Sequence, residues 1–406
     1  MSVKSIAMIS LLLVCFLGGN CAPARGFDSS LRSIVKPYCF SIVKWESRAI
    51  PDEINRLVFG RQEKVDDEVR VVTEYFSLAE EIKTLNSKIE AINRGDAQGD
   101  LASLKAELDV LYGQKKALEE TVARILVRQI KETLAQQGIF NPFDKYIKAK
   151  FTFPPLNFRL EKPPHLLVVS PRDRIESMRD VTLQQGITLE EIEKIEAEVD
   201  KLGVSSLVVE LGGFGTYPSF VTDEASLRFI LDTATEEWLH KYLVFKPLGF
   251  RYLLDLTGVS RNYEIATMNE TVASMVSKEI GSTVCERYYP KDKIVGSREQ
   301  AADSEFNREM REIRKAVDEY LARGEIEQAE KFMEEKRQYL ASKGYHIRKL
   351  NQAYFAFHGT YADSPTSISP IGVELKQLRS QSASLKDFLD IVAAMTSRRD
   401  LMESIK

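Results

Sequence analysis

The chain has 406 residues, 44% hydrophobic and 29% charged, which is enough for a sizeable core and two structural regions. Its 56 basic and 60 acidic residues leave a net charge of −4, and no basic stripe is interleaved with aromatics, so nucleic acid is not an expected partner. Any imidazole-based metal site must draw on four histidines: His165, His240, His346 and His358. The four cysteines, Cys15, Cys21, Cys39 and Cys285, contain no C-x-x-C spacing, which excludes a zinc knuckle.

Residues 1–24 read as a targeting segment: Lys4, an apolar run from Ile6 to Leu17, then the small residues Ala22-Pro23-Ala24. The run is short for a membrane-spanning helix, which needs about 20 apolar residues. Three outcomes stay open: a cleaved signal, an uncleaved anchor, or lipidation at Cys21 despite a poor lipobox in Gly18-Gly19-Asn20. Each predicts an exported or membrane-anchored protein of the cell envelope. In that setting Cys39 and Cys285 either pair or stay as free thiols.

After an N-terminal segment (25–64), residues 65–137 carry two apolar seams. Tyr75, Leu78, Ile82, Leu85, Ile89 and Ile92 alternate spacings of three and four; Leu101, Leu104, Leu108, Leu111, Leu118, Val122 and Ile125 repeat the pattern. Lys115 interrupts the second seam, and Asn93-Arg94-Gly95-Asp96 breaks the two apart. This predicts an antiparallel helical hairpin (coiled coil), packed on itself or the main domain, or serving as an arm for a partner or for self-association. Asn141-Pro142, Pro154-Pro155 and Pro163-Pro164 mark residues 138–165 as a linker, because proline lacks a backbone donor and forces its predecessor extended.

The main domain is expected over 166–395, with a tail at 396–406. His165–Ser170 and Ser206–Leu211 read as buried strands. Between them Thr188 and Glu191 form a capping box for a helix that Gly203 ends. Gly212–Pro218 reads as a flexible segment flanking a groove; its glycines do not follow a phosphate-binding pattern. From Asp223 onward the pattern is mostly helical.

Two of these helices carry chemistry. Glu236 and His240 are four apart and share one helix face, with Glu237 beside them. In H-E-x-x-H enzymes the residues at i and i+4 hold zinc and the intervening glutamate is the general base. Zinc accepts carboxylate oxygen as well as imidazole nitrogen. Leu231, Trp238, Leu239, Tyr242, Leu243 and Phe245 make the surroundings apolar, and charge buried there needs partners. Glu270, in Asn269-Glu270-Thr271-Val272-Ala273-Ser274, is acidic in a similar setting and could complete a three-ligand site. Read without Glu270, the first motif is an acidic patch whose carboxylates pair with basic residues.

This pair of helices resembles the gluzincin metallopeptidases, in which H-E-x-x-H is followed by a glutamate ligand on a later helix. More closely, the chain resembles an uncharacterised group of membrane-anchored bacterial aminopeptidase-like proteins. The shared stretches are Leu167–Ile175, Glu237-Trp238-Leu239-His240, Asn269–Ala273 and Lys349-Leu350-Asn351-Gln352-Ala353-Tyr354, with the likeness covering about 160–395 and the hairpin before it. The resemblance implies an α+β, mostly α fold: a zincin-like domain with a small sheet and a helical bundle, preceded by the hairpin. It implies a zinc-dependent hydrolase acting on peptides or proteins, with Glu237 as general base and His240 and Glu270 as ligands; Glu236, on the helix face of His240, is the candidate third ligand. Tyr354 and His358, and Tyr361 after them, are candidates to stabilise an oxyanion. Two positions depart from the family pattern: Glu236 stands where the first histidine belongs, and Ser274 where an aspartate belongs.

Overall fold

The computed structural model describes residues 26–59, 66–94, 96–144, 150–289 and 305–405, with the backbone alone for 52–59. The targeting segment, with Cys15 and Cys21, lies outside them. Among the described residues, no helix is long and apolar enough to cross a membrane. The fold is α+β and mostly helical, with 14 α-helices and two three-stranded sheets among those residues.

Helices α1 (Phe27–Val35) and α2 (Ile42–Phe59) lead into the hairpin of α3 (Glu68–Arg94) and α4 (Leu101–Gln136). Asp100 caps α4, its carboxylate accepting from the amides of Ala102 and Ser103. At the far end of the hairpin only one seam is covered: Leu78, Ile82, Leu85 and Ile89 are buried, whereas Leu104, Leu108 and Leu111 are half-exposed. Nearer the base, Val122, Leu126, Ile130 and Leu134 join Trp238, Met268 and Val276 in the main core. The hairpin is thus rooted in the body of the protein. Lys115, which interrupts the seam, is buried and its Nζ meets the Asp223 carboxylate at 2.5 Å. The proline-rich stretch is packed as well: Ile139, Leu156 and Phe158 are core residues, and Trp238 Nε1 donates to the Pro154 carbonyl at 2.7 Å.

Strands β1 (Phe158–Leu160), β2 (His165–Pro171) and β3 (Arg179–Leu183) are followed by α5 (Leu189–Asp200), β4 (Val204–Glu210), β5 (Gly213–Phe214) and β6 (Ser219–Val221). One sheet has the antiparallel order β3-β2-β4. Successive side chains on a strand point to opposite faces. Leu167, Val169, Val204 and Val208 accordingly pack toward α1 and α5, while Val168 and Leu207 pack on the other face. Burial on both faces explains why these strands read as unbroken apolar runs. The expected capping box of α5 forms through Thr188 and Glu191, and Gly203, at φ 81°, takes the left-handed turn beyond it. The second sheet has the order β1-β6-β5, which leaves the two-residue β5 at its edge. Gly212–Pro218, expected as a flexible segment, therefore contributes a strand and a tight turn.

The helical part comprises α6 (Leu227–Leu243), α7 (Pro247–Leu256), α8 (Tyr263–Tyr288), α9 (Glu305–Ala322), α10 (Ile326–Ser342) and α11 (Gln352–Gly359), then α12 (Pro370–Gln381), α13 (Leu385–Ala393) and α14 (Arg398–Ser404). The stretches Leu167–Ile175 and Lys349–Tyr354 bond to one another. Gln352 Nε2 donates to the Arg172 carbonyl at 2.8 Å, and Asn351 both caps α11 and reaches the Ser206 carbonyl at 2.8 Å. Arg348 forks onto the buried Glu196 of α5. These polar residues frame the sheet. Cys39 is exposed, Cys285 is buried in α8, and both are free thiols.

Candidate metal centre

Helices α6 and α8 lie side by side and antiparallel. At one end His240 meets Asn269; at the other, Arg228 Nη2 donates to the Lys278 carbonyl at 2.6 Å. Small residues on α8 permit the close approach: a Cβ at Gly281 would run into Asp232. The approach brings Glu236, His240 and Glu270 together, with one donor atom from each within 4.8 Å of the others. Among the described residues this is the one grouping of three or more Asp, Glu, His or Cys side chains that could hold a metal ion. His165, His346 and His358 take no part in it.

The donors are held from behind. His240 Nδ1 lies 2.9 Å from Asn269 Oδ1, a contact that, with the proton on Nδ1, leaves the lone pair of Nε2 for a metal. That Nε2 lies 3.6 Å from Glu270 Oε2. The Tyr252 hydroxyl of α7 donates to the other oxygen, Glu270 Oε1. Glu236 Oε1 is buried and has no hydrogen-bond partner. A buried acceptor left unpaired costs about 1–3 kcal/mol, and a cation held by the Glu236 carboxylate would offset that cost. The residues present therefore fit a divalent ion through one imidazole nitrogen and two carboxylates.

Charge in the interface is lopsided. Burial, then Glu270 and Glu237, push the Glu236 carboxyl well above the usual carboxylate range, with Lys278 opposing. Burial pushes Glu237 up to about 7, opposed by His240 and Lys241. Glu237 sits under the edge strand: a Cβ at Gly213 would come within 2.5 Å of its Oε1, and one at Gly215 within 3.1 Å of its Oε2. Glycine at both positions lets the backbone of β5 pass directly over the carboxylate. Lys241 is buried with its Nζ on the Thr216 carbonyl (3.2 Å) and Ser219 Oγ (2.7 Å), and burial lowers it to about 8.

Ser274 lies one turn beyond Glu270. Its hydroxyl donates to Asp363 Oδ2 at 3.0 Å, and the Lys278 ammonium donates to the same oxygen. Asp363, on the loop after α11, thus places a carboxylate against Ser274 and Lys278 of α8. The same loop carries Tyr361, whose phenol is pushed well up by burial and by Glu270, Glu236, Tyr252 and Glu237. Of the three aromatic candidates, Tyr361 is the one on which the carboxylates of the centre act. Tyr354 and His358 stack on each other, centroids 4.3 Å apart, and burial alone pushes the Tyr354 phenol up to about 12. No carboxylate of the α6–α8 interface acts on that pair. Sequence reasoning missed Asn269, Tyr252, Lys241 and Asp363 as parts of the centre. Only the place of Asn269 beside Glu270 offered a signal. Comparison with known proteins returns no matching family model, no matching curated protein and no matching solved structure.

Proposed function

We propose that this chain is a metal-dependent hydrolase of the cell envelope acting on peptide bonds, with a gluzincin-like centre at Glu236, His240 and Glu270. The convergence of these three donors, with Glu237 poised beside them, carries the reading. A divalent ion bound there supplies Lewis acidity toward water and a carbonyl group; zinc is the metal the resemblance implies. Glu237, whose carboxyl titrates near neutrality, takes a proton from the attacking water and delivers it to the leaving amine as the C–N bond breaks. The Tyr361 phenol, kept protonated by burial and by its acidic neighbours, donates to the oxygen that gains charge. β5, the last strand of its sheet and adjacent to Glu237, is where an extended substrate would pair.

Metal content of the purified protein, measured by mass spectrometry, tests the centre. The expectation is one equivalent in the parent and none in His240→Ala; no stoichiometric metal in the parent sinks the proposal. A second reading is favoured by Glu236 itself, a carboxylate where an imidazole is expected: an inactive scaffold that binds a partner through the hairpin, whose α4 exposes Val110 and Tyr112. Metal-dependent release of peptide fragments excludes that reading.

A further inference from the structure

Resting on the metal-centre reading above, the donor chemistry points to a more specific property. We infer that the centre is tuned away from zinc and toward oxygen-preferring divalent cations such as Mn2+, relative to a histidine-rich site of the same geometry. Three observations carry this. The donor set is one imidazole nitrogen and two carboxylates, and carboxylate oxygen suits manganese, magnesium and calcium whereas imidazole suits zinc. The single imidazole is backed by a neutral amide, Asn269 Oδ1 at 2.9 Å from Nδ1. A carboxylate in that position would raise the basicity of the ring, and an amide does so less. Finally, Glu270 is fixed by a phenol, since the Tyr252 hydroxyl holds Oε1 and leaves Oε2 toward His240. One hard oxygen donor is thereby preset in place.

Intrinsic affinities generally rise from Mn2+ to Zn2+ at any such site, so the property is a narrowed preference and not an inverted one. It is read as the ratio of dissociation constants for Mn2+ and Zn2+, each titrated alone against a chelator into the full-length, metal-stripped chain. In Glu236→His the ratio should rise by about tenfold or more, the size of effect that changes around a metal ligand carry. Asn269→Asp keeps the three ligands and should tighten Zn2+ by about tenfold, with a smaller gain for Mn2+. Circular dichroism confirms the fold of each variant, and Asn269→Asp carries the test if Glu236→His does not fold. A ratio unchanged or lowered in both variants overturns the inference and leaves the metal centre standing. A parent chain that binds neither ion overturns both.

Discussion

The hairpin α3–α4 and the α6–α8 interface are both long two-helix seams, and they treat buried charge differently. In the hairpin the seam is apolar, and its buried lysine, Lys115, meets one carboxylate, Asp223, at 2.5 Å. Across α6–α8, Glu236, Glu237 and Glu270 crowd together with Lys241 bonded to neutral oxygens, and Glu236 Oε1 is left without a partner. A buried charge with a matched counter-ion is a structural device. Carboxylates of one sign crowded in a buried interface cost stability on folding, and burial pushes Glu236 and Glu237 toward their neutral forms.

The largest effect that would sharpen this contrast belongs to Glu237. Glu237→Gln should lower kcat for peptide release by about 10²–10⁴-fold, the range for loss of a general base, with bound metal unchanged. Retained activity would remove Glu237 from the reaction. In the hairpin, Lys115→Ala should cost about 3 kcal/mol in a urea melt, the low end for breaking a buried pair because Asp223 is partly open to water. Hydrolysis by the folded fraction should be untouched; if it falls as well, the two regions are not independent.

Acidity separates them further. Folding raises the Glu237 carboxyl from the ordinary 4.5 to about 7. A raised carboxyl contributes stability that is fully present below pH 4.5 and lost as pH rises through about 7. Glutamine has nothing to ionise. The stability difference between metal-free Glu237→Gln and metal-free parent should therefore grow in favour of the variant by up to about 3 kcal/mol between pH 4.5 and pH 8. A flat difference would mean that Glu237 is solvated. The smallest effect is Asp100→Ala at the α4 N-cap, which should cost about 1 kcal/mol in thermal melts and leave metal binding alone.

What the sequence disclosed follows the distance over which each feature is built. The seams of α3 and α4, the Thr188–Glu191 box and the apolar runs of β2 and β4 are local, and each is readable within a few residues of chain. The pairing of Glu236, His240 and Glu270 was legible because two of the donors share a helical face and the third stands in an equally apolar helix. The supporting residues were not. Lys115 reaches Asp223, Ser274 reaches Asp363, and Trp238 reaches Pro154 across 84 to 108 residues of chain. Tyr354 looked equivalent to Tyr361 in composition. The docking of α11 on the sheet packs Tyr354 against Val168 and Leu207, whereas Tyr361, beyond the helix, lies in the field of Glu270 and Glu236.

The loop that carries Tyr361 is bolted to α8 on both sides of that residue. Thr271 Oγ1 donates to the Thr360 carbonyl and accepts from the Ala362 amide, and Asp363 takes bonds from Ser274 and Lys278. None of these fastenings uses the tyrosine ring. The phenol is therefore a passenger on a backbone fixed by its neighbours, and Tyr361→Phe removes one oxygen atom without loosening the mount. Few side chains acted on by the centre's carboxylates allow a chemical role to be separated so cleanly from a scaffolding one.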